Sequence, residues 1–246
     1  LNKQGFLNGH TPFSAVVAFI SLFAAYLVGA ENIVLSNEAS ANEGNTENGV
    51  NHQYSKSFDF EYDFNEYVKR NFTEKIHYFS LLRPFSELQI AKMFASRPEY
   101  RRVFRSCNRG SKQNIWCESC PKCLFVYGML SAFLSDGEMK EIFSSDMFEK
   151  EELIPDFRGL TGLDPVKPFE CVGTAEEYRT ALAMKILSLK REKRELPLLL
   201  KIFDDAFCCE DIVRESTALS EYNRENLVPE KFSECLTEMY SYVSNN

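Results

Sequence analysis

Only three histidines occur in 246 residues, and the chain contains no P-loop, no GxGxxG fingerprint and no HExxH helix motif. The commonest phosphate, dinucleotide and zinc-protease signatures are therefore excluded, and no Ser/His/Asp order stands out among so few imidazoles. Positive charge is also scarce. With 28 Lys and Arg against 36 Asp and Glu, the net charge is −8 and the isoelectric point about 5.1. That balance excludes a nucleic-acid binder held by a basic face. No signal-peptide pattern is apparent, and four of the eight cysteines are clustered, which points to a reducing cytoplasm rather than a disulfide framework.

Charge is missing altogether from Thr11 to Ala30, a run close to membrane-spanning length. No Lys or Arg flanks its C-terminal end, where a membrane anchor would place one. His10-Thr11-Pro12 instead reads as a helix start and Gly29 as its end, with Ile33-Val34-Leu35 following as a short buried strand. The expectation is a helix apolar all round, packed on a parallel sheet, with no membrane partner. Some twenty polar residues follow (SNEASANEGNTENGVNHQYSKS), then an amphipathic helix from Phe58 to Phe72, a strand Ile76–Leu81, and a helix begun near Ser86. Beyond the cysteine cluster the pattern is mainly helical, with the longest helix over Ala175–Leu189. Alternating helix and strand give an α/β class.

The cluster places Cys107, Cys117, Cys120 and Cys123 at C-x9-C-x2-C-x2-C spacing. Thiolates two residues apart on a tight turn converge on one soft cation, and an upstream thiolate closes a tetrahedron with no open position. Such a site is structural. Zinc fits best by softness and ligand count; an iron–sulfur cluster and a set of unliganded buried thiols are the other readings.

Residues able to carry chemistry lie in two polar segments. Asn37, Glu38, Asn42, Glu43 and Asn45 could hold a divalent ion or substrate amides, and Asn51, His52, Gln53, Ser55 and Lys56 combine an imidazole with a cation suited to an anion. Either could equally be a solvated loop. Arg83, Arg105 and Arg109 offer bidentate donors, or surface ion pairs. Cys171 sits in a turn beside Glu170 and Lys167, where a thiolate near a cation can act as base or nucleophile, although a lone cysteine is more often a small buried hydrophobe. Cys208 and Cys209 read as core.

Several strings carry a resemblance. NGHTPFSA at 8–15, LSNEASANEGN at 35–45, VNHQYSKS at 50–57, RPFSELQIAKMFA at 83–95, FRSCNR at 104–109, WCESCPKCLF at 116–125 and KPFECVG at 167–173 together resemble the ATP-dependent UDP-N-acetylmuramoyl-L-alanyl-L-glutamate epimerases of peptidoglycan synthesis. The cysteine cluster is also similar to the zinc site of 7-cyano-7-deazaguanine synthases, relatives in the ATP-pyrophosphatase superfamily.

The resemblance implies a Rossmann-like parallel sheet over 1–103, the four-cysteine zinc-type loop and a helical region over 104–173, and a helical tail over 174–246. It implies ATP and Mg2+ as cofactors, structural Zn2+, a UDP-MurNAc-dipeptide substrate and a downstream peptidoglycan ligase as partner. Asn37, Glu38, Asn42, Glu43, Gln53, Lys56 and Arg83 are then expected to bind substrate or cofactor, with Cys171, Glu170 and His52 as catalytic candidates. One departure is visible: the superfamily's Ser-Gly-Gly-x-Asp-Ser-like pyrophosphate loop is absent, so the sheet is expected to be incomplete and that loop to lie upstream of Leu1. Deazapurine chemistry and a non-enzymatic zinc-stabilised scaffold are the alternative functions.

Overall fold

Pro12 and Gly29 bracket the first helix as the sequence predicts, in a computed structural model that describes residues 12–42, 51, 54–166, 168 and 172–244. Helix α1 (Phe13–Val28) closes on Gly29, whose φ of 71° lets its N–H return to the Ala25 carbonyl. Only one stripe of α1 is buried, Ala18, Leu22 and Ala25, at the spacing of one helical face. Its other apolar side chains stay in solvent: Ile20, Phe23 and Leu27 are each more than 60% exposed. Among the described residues, no helix is long and apolar enough to cross a membrane.

Strand β1 (Asn32–Leu35) pairs in parallel with β2 (His77–Ser80), Ile33 opposite Tyr78 and Val34 opposite Phe79. Parallel strands need a long crossover, and helix α2 (Phe58–Asn71) supplies it. Ser57 caps α2 by accepting from the Phe60 N–H, and Asp59 and Glu61 in the first turn complement the helix dipole. Phe64 and Val68 then face the strands, with the Phe64 ring 4.8 Å from that of Tyr78. Asn65 fixes the register by accepting from the Tyr78 N–H and donating to the Tyr78 carbonyl. The architecture is mixed α/β and mostly helical, with a two-stranded parallel sheet among the described residues.

The chain gathers into two units. Leu1–Pro84 with Asn223–Glu230 form the sheet unit; Phe85–Tyr222 with Lys231–Asn246 form the cysteine unit. In the latter, α3 (Glu87–Ala95), α4 (Pro121–Ser131), α5 (Asp136–Ile142), α6 (Ile154–Thr161), α7 (Ala175–Arg191), α8 (Leu198–Ala206), α9 (Cys209–Glu215) and α10 (Ser233–Ser244) surround a core that includes Leu88, Leu124, Phe125, Phe157, Tyr178, Ile186 and Phe203. Capping boxes at Ser86/Gln89, Ser135/Glu138 and Thr174/Glu177 set three of these helix starts. Glu177 does more than cap: its second oxygen accepts from the Glu87 N–H, so one carboxylate ties the first turns of α3 and α7. Helices α4 and α7 meet closely because Gly128 leaves room for the Tyr178 ring, whose hydroxyl donates to the Leu124 carbonyl.

One sequence expectation fails here. Cys208 is exposed rather than core, because it stands at the break between α8 and α9; its neighbour Cys209 is the buried one.

Candidate functional site

The polar segment after β1 leaves the carboxyl end of the strand, the end at which ligands bind in open α/β sheets. Asn37 donates to the Ser80 hydroxyl (3.1 Å), joining the carboxyl ends of β1 and β2. A short turn over Ala39–Asn42 follows, with Ala41 buried, and a second over Tyr54–Lys56 leads into α2.

Arg83 organises both turns. Its side chain is fully buried and donates to the Glu38 carbonyl (2.8 Å), the Asn42 side-chain oxygen (3.2 Å), the Lys56 carbonyl (2.6 Å) and Glu61 (3.3 Å). The guanidinium does not present a fork to solvent; it is committed to the loop backbone, with a buried carboxylate as counter-ion. Asn42 spends its side-chain oxygen on Arg83 and on the Phe58 N–H. Glu38 and Lys56, through their carbonyls, and Asn42, through its side chain, are thus brought together around Arg83, while Asn37 is bonded to Ser80; all four are half-buried. Glu43, His52, Gln53, Lys167, Glu170 and Cys171 lie outside the described residues.

In the cysteine unit, the sulfurs of Cys107, Cys117, Cys120 and Cys123 all lie within 4.8 Å of one another. Cys120 and Cys123 are 3.4 Å apart and Cys117 and Cys123 3.7 Å. A tetrahedral Zn–S distance of about 2.3 Å places sulfurs about 3.8 Å apart, so the set fits one soft divalent cation. Backbone N–H groups face the sulfurs as well: Gly110 donates to Cys107 (3.2 Å) and Cys123 to Cys120 (3.4 Å). Cys120 is pushed down from the ordinary thiol pKa, chiefly by its side-chain hydrogen bond with Cys123, and Cys123 is driven up by the same bond and by burial. Four thiols so close cannot all ionise without a cation among them.

Local sequence explains the cage. Pro121 opens α4 with Cys120 as its N-cap, so the first helical turn carries Cys123 back beside Cys120. Gly110 makes the return from Cys107, since a side chain there would strike the Ile115 carbonyl. Arg109 donates to the Ser119 carbonyl (3.1 Å), and Arg105 to the neighbouring Phe104 carbonyl, so both arginines meet backbone. Asp156 has its carboxyl pKa raised by burial, with Arg109 opposing.

Sequence reading overlooked Glu118, between the second and third cysteines. Its carboxylate accepts from the Ser144 N–H (2.6 Å), the Ser144 hydroxyl (2.9 Å) and the Ser145 hydroxyl (2.5 Å). Burial opposes its charge, but these bonds outweigh it and hold the carboxyl below the usual range. Glu61, buried beneath the loop as partner of Arg83, was also overlooked. No local signal marks either residue, since each partner is 22 to 27 positions away.

Residues 1–81 match the MurL N-terminal domain and residues 103–213 the MurL C-terminal domain. The chain belongs to the MurL family. Curated relatives include proteins named UDP-N-acetyl-alpha-D-muramoyl-L-alanyl-L-glutamate epimerase from three bacteria. The one from Xanthomonas oryzae pv. oryzae is 40% identical over 204 residues, 79% of this chain and 45% of the relative. Those from a Micromonospora species and Salinispora tropica are 37% and 36% identical over 211 residues, 83% of this chain and 47% and 46% of each relative. The chain therefore spans just under half the length of these curated relatives. No solved structure matches it.

Proposed function

We propose that this chain belongs to an enzyme that converts the terminal L-glutamate of UDP-MurNAc-L-Ala-L-Glu to D-glutamate in the cytoplasm, during peptidoglycan precursor synthesis. The observation that carries the reading is the activity shared by the names of relatives matched across both family domains. The chemistry asks for activation. The α-proton beside an anionic carboxylate is very weakly acidic, and joining that carboxylate to AMP, with pyrophosphate released, removes the charge and makes an acyl group that stabilises an enolate. A base takes the proton, it returns on the other face, and water releases AMP. Magnesium neutralises the triphosphate when bound.

The chain's own residues would serve this in two places. The segment held by Arg83, with Asn37, Glu38, Asn42, Glu43, Gln53 and Lys56, would receive the dipeptide and nucleotide at the carboxyl end of a Rossmann-like sheet. Arg83 would act there through the loop it holds rather than by touching ligand, as its burial supports. His52, Glu170 and Cys171 are the candidates for the proton-transferring group. Cys107, Cys117, Cys120 and Cys123 would hold structural zinc, away from the reacting atoms, because a closed thiolate set leaves no position for substrate. A downstream ligase would take the product.

The test is made on the whole polypeptide that carries these residues, with ATP, magnesium and UDP-MurNAc-L-Ala-L-Glu, followed by hydrolysis and chiral resolution of glutamate. D-Glutamate formed only with ATP, alongside AMP and pyrophosphate, is expected. A folded, zinc-loaded protein that forms none would overturn the reading and favour a zinc-stabilised scaffold.

A further inference from the structure

We propose that Glu118 is the positioning residue of the cysteine cage, clamping the loop that holds the four sulfurs at metal-binding separation. The inference rests on reading the cage as a metal site. Three observations carry it. Glu118 has φ of 51°, in the left-handed region, although it is not glycine. Such a conformation is unfavourable for a non-glycine residue and persists where its surroundings enforce it.

The surroundings here are explicit. Ser144 and Ser145 saturate the carboxylate with three short hydrogen bonds, while the Lys150 ammonium donates to the Glu118 carbonyl (2.8 Å) and stands 4.0 Å from its carboxylate. Side chain and main chain of one residue are thereby fixed to one short segment, 144–150. The third observation links the clamp to the cage. Glu118 directly follows Cys117 and stands two residues before Cys120, so its left-handed turn sets the path by which both sulfurs reach the same point. Outer contacts of this kind orient ligands, and their loss typically weakens metal binding by about 10- to 100-fold.

The test titrates the metal-stripped, reduced chain with cobalt(II) alone, then with competing zinc. Thiolate-to-cobalt charge-transfer and d–d bands report a tetrahedral sulfur site, a readout that general destabilisation does not produce or shift. The unaltered chain is expected to bind one cobalt with tetrahedral bands. Glu118→Gln and Glu118→Gly are each expected to bind it about 10- to 100-fold more weakly, with altered d–d bands. Glycine accepts the left-handed turn without strain, so a Glu118→Gly variant with unaltered affinity would show that the turn alone suffices and overturn the clamp. Affinity within twofold for Glu118→Gln would do the same. Ser145→Ala attacks the clamp from its other side and carries the test if the Glu118 variants do not fold. Threefold or greater weakening is expected, absent when added to Glu118→Gln; no change would contradict the proposal. If the unaltered chain shows no thiolate-cobalt bands, the cage reading falls and the clamp with it.

Discussion

The two units of this chain bury different things. The cysteine unit has a continuous apolar core of large side chains, including Phe125, Phe148, Phe157 and Phe203, all nearly or fully inaccessible. The sheet unit has a thin core around Phe64, Val68, Ile33 and Tyr78, while α1 leaves most of its apolar surface in water. Beneath its polar loop the sheet unit also holds the most deeply buried ion pair among the described residues, Arg83–Glu61. Apolar burial stabilises in proportion to area, whereas a buried ion pair stabilises weakly but specifies one arrangement.

The sharpest way to break the contrast is Arg83→Leu. Stranding Glu61 without its partner should cost about 3–5 kcal/mol, and denaturant melts followed by hydrogen exchange should place the loss in Leu1–Pro84. Glu61→Leu added to it should recover much of the loss, since an apolar pair avoids the desolvation; continued loss in the double variant would show that the bonds to Glu38 and Lys56 dominate. In the cysteine unit a local change should matter less. Thr174→Ala removes the cap of α7 and should cost about 1 kcal/mol, read from the denaturation midpoint.

Acid gives a weaker handle on the same unit. Asp136 is held below the ordinary carboxylate range by the Lys185 ammonium and by Arg194. Its folded pKa is therefore lower than its unfolded one, so its contribution is complete above about pH 4 and lost as pH falls through the depressed value. For so exposed a group the effect should stay below about 1 kcal/mol, and Asp136→Asn should remove it from the pH–stability curve. Smallest of all should be Ile20→Lys on the exposed face of α1, within about 0.5 kcal/mol by thermal melting. A large loss there would mean that this face is covered, and that the sheet unit is less thinly buried than it stands.

These effects also mark what the sequence could and could not reveal. Local rules read helices well: Pro12 and Gly29 around α1 and the Ser86 cap of α3 each act within a turn of the chain. The cysteine spacing likewise announced the cage, because three of its four ligands lie within seven residues. Arg83 was legible as a cation but not as a buried one, since its partners stretch from Glu38 to Glu61 and are mostly carbonyls, which any sequence possesses. Glu118 was invisible for the same reason: its role is set by two serines on a distant segment.

The most direct single measurement is hydrogen–deuterium exchange on the zinc-loaded chain before and after a chelator removes the metal. The account expects residues 104–131 and 144–161 to lose protection while α1, α2 and the two strands exchange as before. Unchanged exchange across the cysteine unit, or an equal loss in both units, would contradict a structural metal confined to one of two differently built halves.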